Sequence, residues 1–150
     1  MSVSVQSEDF NLGDEVAALT QGNPDIGAIV TFIGLVRDTT EGTLLSMELE
    51  HYPGMTERAL ISIETAAKKR WSLNATRIIH RYGNLKTGAH IMMVATASPH
   101  RSDAFEAAEF LMDYLKTDAP FWKKEHFKKS AKWVESKVTD DAAKERWSKP

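Results

Sequence analysis

The spacing of apolar residues changes along this chain, which restricts it to folds that mix strands and helices. Residues 44–52 alternate between apolar and polar side chains, as in a half-buried strand. Residues 56–71 place apolar side chains three and four positions apart, as on one face of a helix. Since strand and helix patterns follow each other without strict alternation, the predicted class is α+β.

The remaining segments are assigned from the same periodicities and from turn residues. No Pro-, Gly- or Ser-rich linker interrupts the 150 residues, so one domain over 1–150 is predicted. The other predicted elements are a short helix at 13–21, a well-buried strand at 26–36, a loop at 37–43, strands at 75–82 and 89–97 around a turn at 83–88, a helix at 103–116 with Ser102 as its N-cap, a short strand near 132–138, and a helical turn or frayed end at 140–147.

Composition and motifs exclude several kinds of function. The chain has no cysteine, which excludes disulfide scaffolds, zinc–thiolate sites, iron–sulfur clusters and cysteine nucleophiles. It has no GxxxxGK(S/T), GxGxxG, GxSxG or HExxH motif, and its five histidines are scattered, so neither a metal nor a cofactor is predicted. No apolar run reaches the roughly 20 residues that span a bilayer. The first ten residues do not resemble a signal peptide, so a cytoplasmic location without membrane contact is expected.

Charge is distributed unevenly along the chain. The formal net charge is −2, but residues 1–50 carry −8 and residues 51–150 carry +6. Within the second part, residues 116–132 hold six lysines among three aromatic residues, a combination that could bind nucleic acid. The acidic first third and the isoelectric point of about 6.2 weigh against that function, so no nucleic-acid partner is predicted.

Several cations stand at the ends of predicted elements, where binding residues often lie. His100 and Arg101 precede a helix N-terminus, which favours anions, and the Arg fork suits phosphate or carboxylate. Lys116 ends that helix, and Lys123 lies among other cations, which suits a nucleophile or general base. Arg37 follows a predicted strand. Solvated side chains, or a helix-dipole contact for Lys116, explain these local patterns more simply, so the patterns alone do not establish a site.

Longer segments are more specific, above all HRSDAFEA at 100–107 and MDYLKTDAPFWKKE at 112–125. The full set, which spans most of the chain from about residue 26 to 147, is VTFIGLVR at 30–37, LEHYPGMTERAL at 49–60, RW at 70–71, IHRYGNLKTG at 79–88, SPHRSDAFEAAEFLMDYLKTDAPFWKKE at 98–125 and KWVE at 132–135. In this order the segments resemble the large, catalytic subunit of molybdopterin synthase, the MoaE family.

The resemblance implies a sulfurtransferase with an α/β hammerhead-like fold and an added antiparallel β element. The implied substrate is precursor Z, a cyclic pyranopterin monophosphate, which is converted to the dithiolene of molybdopterin. The two sulfurs would come from a thiocarboxylate on the C-terminal glycine of a small ubiquitin-like subunit of the MoaD type, whose tail enters a pocket of the large subunit. The implied assembly is a heterotetramer around a dimer of large subunits.

The resemblance also assigns residues. It identifies as catalytic Lys116 and Lys123, and as substrate-binding Arg37, His100, Arg101, Lys124 and Glu125. Lys116 would polarise the carbonyl of the partner's tail, or serve as a general base or covalent amine. Lys123 would stabilise negative charge that develops on phosphate or thiolate. We expect a few of these cations to converge around the phosphate and the tail.

Two positions depart from the family pattern. The family often has a cation where this chain has Leu35, and another where it has Asp118, so positive charge is lost near the expected site. Two other functions stand as alternatives to the enzyme. One is a non-catalytic scaffold that binds a ubiquitin-like tail or a phosphate ligand without turnover. The other is a nucleic-acid-binding module that uses residues 121–137.

Overall fold

The computed structural model describes residues 2–127, 130–134 and 138–148. Within these residues the chain forms eight strands and four helices, which confirms the α+β class. The strands are β1 Val3–Gln6, β2 Ala28–Leu35, β3 Leu44–His51, β4 Ala75–Arg81, β5 Gly83–Lys86, β6 His90–Ser98, β7 Phe121–Phe127 and β8 Ala131–Trp133. The helices are α1 Leu12–Thr20, α2 Met55–Arg70, α3 Arg101–Thr117 and α4 Val138–Glu145.

The strands form two four-stranded sheets. The first has the order β1-β4-β6-β2 and is antiparallel except for the parallel pair of β1 and β4. The second has the order β5-β3-β7-β8 and is antiparallel throughout, as expected for an added antiparallel element. Both sheets contribute to the main core, in which Leu49 and Leu85 of the second sheet meet Ile78 and Val94 of the first.

Strand β6 is buried along almost its whole length because helices cover both faces of the first sheet. On one face, α3 packs closely because its buried side includes Ala104, Ala107 and Ala108. The buried hydroxyl of Thr96 donates to the carbonyl oxygen of Ala104 at 2.6 Å. The other face is covered by α1 and by the buried Phe10. This packing fixes both ends of α3 relative to the sheet.

Helix α4 ties the end of the described chain to α2 and α3. The Trp147 ring lies against Trp71 and Phe110, with centroids 5.7 and 5.6 Å apart. Its indole N–H also donates to the Asp113 carboxylate at 2.5 Å. The predicted helical turn at 140–147 is therefore helix α4 over Val138–Glu145, followed by the packed Trp147. No helix in the described ranges is long and apolar enough to cross a membrane.

The strand predicted at 26–36 differs from the structure in its burial. Strand β2 is the edge strand of the first sheet, and its Phe32 and Leu35 side chains are 42% and 53% exposed. An apolar, β-branched run favours a strand, but it does not reveal whether that strand has neighbouring strands on both sides or lies at the edge of the sheet. The prediction of a strand is confirmed, and the prediction of a well-buried one is wrong.

Other boundaries also differ from the sequence predictions. Helix α3 begins at Arg101 with His100 as its N-cap, so Ser102 lies inside the helix. The patterns do not predict β1, β5 or β7, and β5 occupies part of the predicted turn at 83–88. The strand expected near 132–138 lies at 131–133 instead, and residues 135–137 are outside the described part of the chain.

Candidate active site

Lys116 and Lys123 line one small cavity beside the C-terminal end of α3. The cavity has a volume of about 90 Å³. Lys116 comes from the last turn of α3, and the half-buried Lys123 comes from β7. His80 of β4 is the third polar side chain in the wall. The rest of the lining is apolar: Phe32, Gly34, Leu35, Ile91, Met92, Met112, Leu115, Ala119 and Phe121.

The other end of α3 carries a second group of predicted site residues. His100 is the N-cap and Arg101 is the first residue of the helix, and both side chains are exposed. Fifteen residues separate Arg101 from Lys116, which corresponds to a rise of roughly 22 Å along the helix. His100 and Arg101 therefore lie at the opposite end of α3 from the lysine cavity of the same chain.

Strand β2 gives an independent measure of this separation. Ala28 pairs with Ser98 at the His100 end, and Leu35 pairs with His90 at the other end. The seven residue steps from Ala28 to Leu35 span roughly 24 Å in an extended strand. Arg37 is exposed and follows Leu35, so it lies at the lysine end. A single chain therefore places Arg37, Lys116 and Lys123 at one end and His100 and Arg101 at the other, so only part of the assigned set converges within one chain.

Strand β7 divides the segment that the resemblance assigns to substrate contact. Successive side chains of a strand point to opposite faces, so Lys123 and Glu125 share one face and Lys124 lies on the other. The Lys124 ammonium sits 5.3 Å from the centre of the Trp133 ring. The structure therefore brings Lys123 to the cavity and directs Lys124 to β8.

His80 is a cavity residue for which the sequence patterns indicate only a structural role. Its side chain is nearly fully buried, and its ring stacks on Phe121 with centroids 3.6 Å apart. Burial, together with the positive charges of Lys123 and Lys116, lowers the pKa of His80 to about 3. The imidazole is therefore neutral near pH 7. Its position within the IHRYGNLKTG stretch is the only sequence signal that could have drawn attention to it.

The two departures from the family pattern have different surroundings. Leu35 forms part of the cavity wall, where it leaves the lining more apolar than a cation would. Asp118 caps the C-terminus of α3 and forms an ion pair of 2.9 Å with Lys144 of α4. This contact raises the pKa of Lys144 and directs the Asp118 carboxylate toward α4. The negative charge of Asp118 is therefore paired.

A larger and more open groove lies on the second sheet. It has a volume of about 740 Å³, and its lining includes Glu48, Glu50, His51 and His126. None of the residues assigned by the resemblance lines it. Among the described residues, no group of three or more His, Asp or Glu side chains could hold a metal ion. The lysine cavity therefore remains the candidate active site.

Comparison with known proteins shows which family the chain is similar to. The profile of the MoaE protein family matches residues 5–118. The chain is 54% identical to a protein from Ralstonia nicotianae named molybdopterin synthase catalytic subunit, over 147 residues that cover 97% of this chain and 84% of that protein.

Two solved structures share the fold. Molybdopterin cofactor biosynthesis protein E from Burkholderia multivorans superimposes with a TM-score of 0.82 at 52% identity, covering 97% of this chain and 95% of that one. Molybdopterin synthase from Staphylococcus aureus superimposes with a TM-score of 0.83 at 32% identity, covering 90% and 98%. On the family match, the sequence identity and the shared fold together, this chain belongs to the MoaE family.

Proposed function

We propose that the chain is the catalytic subunit of a molybdopterin synthase, a sulfurtransferase that converts precursor Z to molybdopterin. Family membership and the name of the 54% identical relative support this function. The observation that carries it is the pairing of Lys116 and Lys123 in one narrow, mostly apolar cavity. We also propose a cytoplasmic location, in keeping with relatives named for cofactor synthesis.

The size of the lysine cavity favours the end of a peptide over the pterin. The cavity has a volume of about 90 Å³. Pockets that hold drug-sized molecules are usually about 300–1,000 Å³. A C-terminal Gly-Gly has no side chains and is narrow enough to enter such a cavity. The proposed occupant is therefore the thiocarboxylated tail of a small ubiquitin-like subunit, with the pterin outside the cavity mouth.

The two lysines have separate proposed roles. After the thiocarboxylate sulfur has bonded to the pterin, the Lys116 ammonium polarises the carbonyl of the resulting thioester. Water then adds to the acyl carbon and the acyl carbon–sulfur bond breaks, which leaves the sulfur on the pterin and a carboxylate on the tail. Lys123 stabilises the negative charge that develops on sulfur or on the opening cyclic phosphate. Apolar walls lower the local dielectric constant and so strengthen both electrostatic interactions. Glu125 follows Lys123 on the same face of β7 and remains a proposed substrate contact, whereas Lys124 lies outside the cavity.

A second copy of the chain would complete the phosphate site. Strand β2 has one described neighbour, β6, and its open edge carries the exposed Phe32 and Leu35. Two copies placed antiparallel along this edge would bring His100 and Arg101 of one copy beside the lysine cavity of the other. Arg37 would then share the phosphate with the Arg101 supplied across the interface. The proposed dimer of large subunits thus explains why one chain separates these residues.

Turnover tests the enzyme. The full chain is incubated with precursor Z and with a thiocarboxylated small subunit, and dithiolene formation is measured. Product formation is expected from the wild-type chain and not from small subunit alone. Tight binding of the small subunit without any product would reject the enzyme and favour the non-catalytic scaffold.

Mixed dimers test the shared site. A dimer made only of Lys116→Ala chains, or only of Arg101→Ala chains, is expected to be nearly inactive, because both of its sites lack the substituted residue. After co-expression, half of the pairs are mixed and each has one intact site, so about one quarter of wild-type activity should return. Co-expressed Lys116→Ala and Lys123→Ala chains are the matched control and should recover nothing, because both positions belong to the same half. Failure of the first mixture to exceed its components would reject the two-copy site.

A further inference from the structure

His80 is held in one orientation by contacts on two sides. One face of its ring stacks on Phe121 with an angle of 16° between the rings. Its Nδ1 lies 2.9 Å from the carbonyl oxygen of Arg81. A carbonyl oxygen can only accept a hydrogen bond, so Nδ1 carries the proton and donates. The neutral ring therefore has its lone pair on Nε2, on the side away from the Arg81 carbonyl.

The chemical character of the cavity makes this lone pair unusual. Among the side chains of the described residues that line it, the polar ones are Lys116, Lys123 and His80. The two ammonium groups only donate hydrogen bonds, and the methionine sulfurs are weak acceptors. His80 is thus the one lining side chain with a nitrogen or oxygen acceptor.

This arrangement can distinguish the end groups of possible ligands. A bare anion such as chloride binds the lysines and offers no hydrogen-bond donor to His80. The carboxyl end of a peptide offers an acceptor to the lysines and a donor to His80, because its terminal carboxylate or thiocarboxylate follows the N–H of the last peptide bond. The two kinds of group are separated by one carbon atom, and a C-terminal glycine adds no side chain there, which suits a cavity of about 90 Å³.

We propose that His80 is a specificity-determining residue, whose Nε2 accepts a hydrogen bond from the last peptide N–H of a C-terminal glycine while the lysines bind its carboxylate or thiocarboxylate. This inference rests on the proposed function for the identity of the tail. Beyond that function, the inference assigns to His80 a hydrogen bond with the last amide, which orients the terminal carbonyl toward Lys116. Phe121 is the support that holds the ring in place.

The test compares two small ubiquitin-like subunits that end in Gly-Gly. One has the natural final amide, and the other, made by chemical ligation, has an ester oxygen in place of that N–H. Binding of each to the full chain is measured by titration calorimetry for wild type, His80→Phe, His80→Gln and His126→Phe. His80→Phe keeps a ring against Phe121 without the lone pair. His126 lies on β7 outside the lysine cavity, so His126→Phe is the matched control.

Wild type and His126→Phe should bind the ester form about tenfold more weakly than the amide form, as expected for loss of one hydrogen bond to a buried acceptor. His80→Phe should bind both forms with dissociation constants within about twofold of each other, since no acceptor remains. His80→Gln should recover part of the discrimination, because its amide oxygen can accept the bond. Near-ultraviolet circular dichroism of each variant confirms that it is folded.

A nitrogen-15 spectrum gives a second readout that a purely structural role would not change. The Nε2 resonance of His80 should move upfield when the amide form binds and remain in place when the ester form binds. Equal discrimination by His80→Phe and wild type, or no discrimination by wild type, would overturn the inference. Failure of the proposed function is distinguishable, because wild type would then discriminate amide from ester and yet form no dithiolene.

Discussion

Gly27 lies at the point where the chain entering β2 passes closest to the segment that leads into α3. Its N–H donates to the carbonyl oxygen of Ser98 at 3.0 Å. A Cβ added at Gly27 would lie 2.2 Å from the carbonyl oxygen of Pro99 and 3.1 Å from the carbonyl carbon. Both atoms belong to the backbone, so no flexible side chain can move aside. We therefore expect Gly27→Ala to strain the segment that carries His100 and Arg101.

The size of the effect follows from these distances. Ordinary contact begins at 3.4 Å, so the Pro99 oxygen must retreat by at least about 1.2 Å. Overpacking of this kind costs about 1–3 kcal/mol, and the less flexible unfolded chain of the alanine variant offsets about 0.4–1 kcal/mol. A net loss of about 1–2 kcal/mol corresponds to a fall in Tm of about 2–8 °C for a chain of this size.

Calorimetric unfolding of wild type, Gly27→Ala and Gly34→Ala measures this effect. Gly34→Ala is the matched control, because its added Cβ would meet the Met92 side chain at 3.5 Å, which is ordinary contact. Its Tm should stay within about 3 °C of wild type, since the expected change is below about 1 kcal/mol. Turnover of Gly27→Ala should also fall, because displacement of about 1 Å at a positioned group can cost up to about 100-fold. A Tm of Gly27→Ala equal to that of wild type would refute the reasoning.

Three further predictions concern the cavity and the C-terminal helix. Lys116→Ala should lower dithiolene formation by about 100- to 1,000-fold while His126→Ala leaves it unchanged, and near-normal turnover of Lys116→Ala would reject its assigned role. His80 binds a proton more readily in the unfolded chain, so between pH 6.5 and about 3 it should make stability rise with pH, by up to about 1.4 kcal/mol per unit. The free energy of unfolding, measured with urea between pH 4.5 and 7, should rise less steeply with pH for His80→Gln than for wild type. An equal pH dependence of the two proteins would contradict the buried neutral state. Trp147→Ala should destabilise the chain by about 2–3 kcal/mol in the same assay, because its ring contacts and its bond to Asp113 are lost; a change below about 0.5 kcal/mol would contradict the packing of α4.

The sequence predicts the elements whose patterns are local. Helices α2 and α3 repeat apolar residues at helical spacing, and their predicted bounds differ from the structure by one or two residues. Strand β7 has no apolar alternation, because FWKKEHF places Lys123 and Glu125 on one face and has charged residues on both. It forms a strand because it pairs with β3, which is distant in sequence, and with β8, which is only three residues long. Such pairing is a tertiary effect that a local pattern does not contain.

The site shows the same division between local and long-range information. The family resemblance identifies Lys116 and Lys123 individually, and the structure shows that both line one cavity. Lys116 and Arg101 are far apart because α3 is one continuous helix with a residue of the pair near each end. The place of His80 in the cavity depends on how β4 lies behind β7, and no short motif encodes that contact.

The open edge of β2 has a consequence for how the chain is made in the cell. The strand sequence is AIVTFIGL, eight residues without a proline or a charged side chain. Prolines and charges on an edge strand usually prevent it from pairing with strands of other molecules. A newly synthesised chain therefore displays a template for aggregation until its edge is covered. In the proposed dimer a second copy covers this edge, so pairing would compete with aggregation and with proteolysis of unpaired copies. When less of the chain is synthesised, the yield of folded protein should consequently fall more steeply than the amount synthesised.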